Sequence, residues 1–355
     1  MTHPLPSQNS HPSPAQNLHH KGEIEATAIL PDPPRRVLVA IDECRLSQKA
    51  IPHAVAIANA MGAELELLHV LDPMRGGGSA TDPVEWHLLR QAAQSRIENL
   101  AQRQTGESRQ IEVCIEEGRP ADQICRLARE LRADLTVVCT RGSGSAARCG
   151  MGSTARAVIN CSPGSVLIVP ADIEDRPQVR FRRIIVPLDG SSRAESVLPL
   201  ARRIAEAQKA ELILVHAIPE PELTEIGPPQ PEDEELRAGL MCRNERVAQK
   251  YLRRIRAGLA GNNVAVRNLM LRGGDARHLL MRAVEEQEAD LIVLSSHGRS
   301  GHADMEVGSV ASHLSFHASV PVLLVRSQAS ASGNNGNGTS PQHSSDCRFV
   351  ARAAA

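Results

Sequence analysis

Aromatic residues are almost missing. Trp86, Tyr251, Phe181, Phe316 and Phe349 are all that 355 residues contain. A core without them must be built from Val, Leu, Ile and Ala, as suits parallel strands buried under helices, and stacking platforms for single-stranded nucleic acid are excluded. An excess of either charge is missing as well. The 40 Lys and Arg against 41 Asp and Glu leave a formal net charge of −1, which argues against a general affinity for polyanions and points to small molecules or proteins as partners. No apolar run approaches membrane-spanning length, and residues 1–20 lack the apolar core of a secretory signal. A soluble cytoplasmic protein with no membrane partner is therefore expected. The eight cysteines form no CxxC pair, so the paired spacing of structural zinc is absent and no metal site is expected. Apolar neighbours around Cys114, Cys125 and Cys139 lead to the expectation of buried, reduced thiols.

What is present is written twice. "RRVLVAID" at 35–42 returns as "RRIIVPLD" at 182–189, and "AELELLHV" at 63–70 returns as "AELILVHA" at 210–217. "RADLTVVCTRG" at 132–142 is answered by "EADLIVLSSHG" at 288–298, with nine residues gained in between. Each copy alternates short β-branched runs with amphipathic stretches. In the second copy strands are expected at 184–188, 211–216, 264–271, 291–295 and 321–325, and helices near 193–207, 232–258, 276–287 and 308–317. Thr81 and Asp82 ahead of Pro83 signal a helix start in the first copy. Such a βαβα order implies a doubly wound parallel sheet with right-handed crossovers.

The expected organisation is two α/β domains, 34–170 and 180–326, joined by a short linker near 171–178 that holds them close. The flanking segments 1–33 and 327–355 are rich in Pro, Gly, Ser and Asn and read as disordered tails. His3, His11, His19 and His20 fall in the first of these and read as part of it, not as a metal site.

In a doubly wound sheet ligands bind beyond the carboxyl ends of the strands, where strand order reverses. If the first and fourth strands flank that reversal, "LDGSS" at 188–192 and "SSHGRSGHADMEVGS" at 295–309 share one crevice. Gly298 and Gly308 leave room for an anion to meet backbone amides, and Ser309 opens a helix whose N-terminus favours negative charge. Asp189 suits a ribose hydroxyl or a cation. Alone, Asp189 reads as a helix cap and each glycine as a turn former; their joint position, repeated in both copies, favours a nucleotide site.

At these residues the chain resembles a tandem universal stress protein. The nucleotide-binding members of that family carry G-x2-G-x9-G-[ST] after the fourth strand and an Asp after the first. Gly298, Gly308 and Ser309 keep the second part of that spacing, as do Gly142, Gly152 and Ser153, while Cys139 and Ser295 replace its first glycine. "GRPADQI" at 118–124 and "HASVPVLLV" at 317–325 also resemble family segments. The resemblance implies a five-stranded sheet of order 3-2-1-4-5 in each half, halves paired through their fifth strands, and ATP as ligand, with or without Mg2+. It implies one site of Asp189, Gly298, Gly308, Ser309 and Val310, and another of Asp42, Gly142, Gly152, Ser153 and Thr154. Glu43, where the second copy has Gly190, is expected to weaken the first site by repelling phosphate.

No GxxxxGK[ST] segment exists, so no P-loop lysine braces a γ-phosphate. His297, Arg299, Arg141 and Arg148 are the candidate cations, each read foremost as a solvated loop charge. Three functions follow: an ATP-binding stress-response module read by a regulatory partner, a slow ATPase or autophosphorylating protein, and a scaffold that binds no nucleotide. The two glycine segments favour the first two over the third, and the lack of a catalytic base favours the first over the second. Assembly into a homodimer is compatible with each.

Overall fold

The computed structural model describes residues 36–73, 82–104, 111–142, 150–221, 231–259, 264–298, 307–326 and 348–351. The expectations for Thr81, Arg148, Arg299, the first tail and most of the second lie outside them.

The first half runs β1 (Arg36–Ile41), α1 (Arg45–Gln48), α2 (Ala50–Met61), β2 (Glu64–Leu71), α3 (Pro83–Gln104), β3 (Ile111–Glu117), α4 (Pro120–Glu130), β4 (Leu135–Cys139), α5 (Ser153–Cys161) and β5 (Ser165–Val169). The second repeats it as β6 (Arg183–Pro187), α6 (Ser192–Glu195), α7 (Leu198–Gln208), β7 (Glu211–Ile218), α8 (Pro231–Leu259), β8 (Val266–Arg272), α9 (Ala276–Glu286), β9 (Leu291–Ser295), α10 (Ser309–His317) and β10 (Val322–Val325). Strand order across the sheet is β3-β2-β1-β4-β5-β10-β9-β6-β7-β8. Read from its own edge, each half is 3-2-1-4-5.

Why these residues form these elements is visible in the packing. Along β1, Val37, Val39 and Ile41 enter the core on one face and Leu38 that on the other, as a central parallel strand requires. Asp82 starts α3 by accepting the Val84 amide at 2.8 Å. The single helix expected over 193–207 is broken at Ser196–Val197 into α6 and α7. Pro199 has no N–H to return to Glu195, and Pro52 accompanies the same break between α1 and α2.

β5 and β10 pair antiparallel, Val322 with Ile168, Leu323 with Leu167 and Leu324 with Val166. This fuses the halves into one sheet, and both faces carry a core drawn from both copies. The linker is anchored at both ends. Lys49 donates to the carbonyls of Ala171 and Ile173 at 3.0 and 2.6 Å, and Phe181 is fully buried.

Two expectations are corrected. Cys125 and Cys161 are joined as a disulfide between α4 and α5, Cα atoms 6.0 Å apart. Thirty-six residues separate them, and only helix packing brings them together. The second tail is not wholly without structure, because Arg348–Ala351 forms β11 antiparallel to β3. Its "RFVA" is an apolar stretch within that tail, and β3 would otherwise be an edge with unpaired backbone groups. Among the described residues no helix is long and apolar enough to cross a membrane.

Candidate functional site

β6 and β9 are adjacent, Ile184 opposite Leu291 and Ile185 opposite Ile292, so the loops leaving them open the crevice at the reversal point. In the β6 loop, Asp189 Oδ1 accepts from the backbone N of Ser191 at 2.9 Å and from its Oγ at 2.6 Å. Ser191, not Asp189, caps α6, its Oγ accepting from the Ala194 amide at 3.1 Å. Asp189 Oδ2 lies against the backbone of Gly298, where a Cβ would stand 2.5 Å away. Only glycine permits this approach.

The β9 loop returns to the sheet through Gly308, whose N–H donates to Ser296 O at 2.8 Å. Gly308 is the N-cap of α10, and no side chain caps that helix. The first-turn amides of Ser309, Val310 and Ala311 have no acceptor within the helix. Asp189, Gly298, Gly308, Ser309 and Val310 all line a cavity of about 1360 Å³. Every residue expected at the second site is therefore brought to one place.

The first half repeats much of this. Asp42 Oδ1 accepts from the Cys44 amide at 2.9 Å and Ser47 Oγ at 2.6 Å, and a Cβ on Gly142 would collide with Asp42 Oδ2. Gly152 donates to Thr140 O at 2.7 Å and precedes Ser153 and Thr154 in the first turn of α5. Glu43 has a partner that the sequence did not disclose. Its carboxylate pairs with Arg96 of α3 at 2.7 Å, so a cation the sequence did not place beside it stands next to its charge. The two replaced glycines are accommodated without strain: neither Cys139 nor Ser295 has positive φ. Burial pushes the Cys139 thiol up to about 11, leaving it neutral and unreactive. Among the candidate cations, Arg141 pairs with Asp172 of the linker, and His297 Nδ1 lies 3.0 Å from Ser296 Oγ.

Three residues that sequence reasoning passed over belong to these sites. His216 Nδ1 lies 2.7 Å from Leu188 O, and His69 Nδ1 lies 3.0 Å from Ile41 O. A carbonyl only accepts, so in each ring Nδ1 is the donor. Each holds the residue just before the aspartate. Their signal was the His repeated in "LLHV" and "LVHA". Tyr251, the chain's one tyrosine, lines the cavity from α8 beside His216, ring centroids 6.1 Å apart. Burial, then the charge of Glu195, pushes its hydroxyl well above the usual phenol range. Nothing in the local sequence of α8 marks it.

The model of the universal stress protein family matches the chain twice, at residues 34–170 and 180–326. The chain is similar to a universal stress protein of Mycolicibacterium smegmatis, 27% identical over 304 residues that span 82% of this chain and 96% of that one. It is similar over 146 residues, at 32% identity, to a universal stress protein of Thermus aquaticus, covering 41% of this chain and 99% of that one. Its fold matches the crystal structure of a universal stress protein from Archaeoglobus fulgidus with a TM-score of 0.56 and 18% identity, over 82% of this chain and 98% of that one. With the doubled sheet, the paired aspartate–glycine crevices and both family matches together, the chain belongs to the universal stress protein family.

Proposed function

We propose that the chain binds ATP in the crevice of its second half and serves as a regulatory stress-response module of the cytoplasm. The observation that carries this reading is the single cavity joining Asp189, the bare backbone of Gly298 and the uncapped start of α10. Helix amides and dipole favour phosphate, a carboxylate at Asp189 suits ribose hydroxyls, and the apolar and aromatic wall of Ala217, Val247 and Tyr251 suits a base. About 1360 Å³ accommodates a nucleoside triphosphate. Among the described residues no three His, Cys, Asp or Glu side chains form a metal cage. A Mg2+ ion here would rest mainly on the phosphates and water, as is common for that ion.

Rapid phosphoryl transfer is not part of the reading. There is no P-loop lysine, and the first-half cation Arg141 is held by Asp172. Occupancy instead biases α10 and its loop, which a protein partner reads. In a reducing cytoplasm the Cys125–Cys161 bond would be open.

Gly308→Val tests the phosphate end. Gly308 has φ −66°, and the nearest neighbour to an added Cβ is Ser296 O at 3.5 Å, so the backbone tolerates a side chain there, and circular dichroism verifies that the variant is folded. Its branched side chain stands where phosphate must meet the amides. Calorimetry with ATP is expected to show affinity reduced at least about tenfold, the effect of about 1.4 kcal/mol. Unchanged affinity in the folded variant would refute the site.

A further inference from the structure

The Cys125–Cys161 bond ties α4 to the last residue of α5, yet the packing of these helices does not depend on it. Ile124 and Ala128 of α4 and Ala155 and Val158 of α5 enter one core, and the repeat places Leu280, Val284, Ala311 and Leu314 of α9 and α10 at the same positions in that core. There the two cysteine positions are Met281 and His317, and the helices pack with no covalent link. Opening the first-half bond therefore leaves a helix pair that apolar burial still holds. Arg129 of α4 also keeps hold of the end of α5, donating to Cys161 O at 3.3 Å.

We propose that Cys125 and Cys161 are a redox modification site: a thiol pair that a low-molecular-weight disulfide closes, that an excess of the corresponding thiol reopens, and whose closed bond restrains α5. A bond that the fold can do without is of the kind that intracellular proteins use reversibly. Access sets the order of events. Cys125 is 3% exposed and Cys161 is half-buried, so Cys161, its proton released to water, attacks one sulfur of the small disulfide as thiolate. The S–S bond of the small molecule breaks, a mixed disulfide forms at Cys161, and one small thiolate leaves. Cys125, deprotonated in turn, attacks Cys161 Sγ and expels the second small thiolate. Both departing thiolates take up a proton, so two electrons pass from the protein thiols to the small disulfide. Cys114 and Cys139 are thiols buried on strands and lie outside the exchange.

The bond acts on the first-half crevice. α5 has nine residues and begins with Ser153 and Thr154 beside Gly152, about 12 Å from Cys161 at 1.5 Å per residue. A covalent anchor at one end of so short a rigid element limits the excursions of the other. α10, without the pair, has no such response. The inference rests on the cytoplasmic part of the reading above and not on nucleotide binding.

The test equilibrates the full chain in glutathione buffers running from a large excess of the reduced to a large excess of the oxidised form. Alkylation and peptide mapping by mass spectrometry follow this pair separately from exposed Cys242. The expected result is a pair open at the first extreme and joined at the second. Amide hydrogen exchange is then measured in both states. Exchange in α5 over 156–161 is expected to slow at least about tenfold on closure, because those amides exchange by local opening of the helix, while 312–317 in α10 keep their rates. In Cys161→Ser, α5 should exchange at the faster rate in every buffer, and Cys125→Ala serves if that variant fails to fold. A bond that survives excess reduced glutathione is a fixed structural link and would overturn the switch. So would a pair that stays open, or stops at the mixed disulfide, in excess oxidised glutathione. Exchange in α5 that ignores closure, or that slows equally in α10, would overturn the restraint.

Discussion

At the scale of single residues, the two histidines buried in the first half set a pH limit. His53, 5% exposed, has Nδ1 3.0 Å from Lys49 O. His69 is 3% exposed. Burial is the foremost cause lowering the pKa of each, only partly offset by the backbone bond. A histidine whose folded pKa is lowered leaves the unfolded chain binding more protons near its ordinary value of about 6.5. Its stability contribution is therefore present above that pH and is lost as pH falls through it. Urea midpoints measured from pH 7.5 to pH 5 are expected to decline, and to decline less in His53→Gln. An equal slope in both proteins would show that His53 is not the titrating group.

At the scale of elements, α4 and α5 are joined by one disulfide, and α5 begins at the Gly152 cap. A cross-link closing a loop of this length contributes about 2–4 kcal/mol, chiefly by restricting the unfolded chain. Cys161→Ser is chosen because Cys161 is the less buried partner. It should lower stability by about that amount, and dithiothreitol should lower the melting point of the unaltered chain but not of the variant. The first-half site itself differs from the second through one helix contact: α3 supplies Arg96 to Glu43, whereas α8 supplies Tyr251 to the cavity wall.

At the scale of the whole molecule, the two copies are one folding unit. Three register pairs join β5 to β10, Gln208 of α7 donates to Ala56 O of α2 at 3.2 Å, and Arg326 donates to the carbonyl of Ile159 in the last turn of α5 and to that of Ser162, its C-cap. Arg156 of α5 stacks over Phe316 of α10 at 4.9 Å. Leu323, 1% exposed, sits at the centre of the joined strands. Leu323→Lys buries a charge without a partner and is expected to cost about 4 kcal/mol or more. Calorimetric scanning should show one transition shifted down for the entire protein. Two transitions, with only one displaced, would show that the halves unfold independently.

The doubled βα pattern, the strand positions and the Asp–Gly–Gly–Ser constellation were legible in the sequence, because apolar period and repeat spacing are local properties that survive without knowledge of packing. The repeat also carries His69 and His216 in matching places, a signal that sequence reasoning passed over, and nothing in it discloses their bonds to the carbonyls before the aspartates. What tertiary structure alone decided were contacts between residues far apart in sequence. Cys125 with Cys161, Glu43 with Arg96, Tyr251 in the cavity and His278 beside His313 each depend on which helix faces meet across the sheet. The seating of "RFVA" on β3 is of the same kind. A run of four residues carries too little local signal to announce a strand, and an open sheet edge, present only once the fold exists, supplies the hydrogen-bonding partners that make it one.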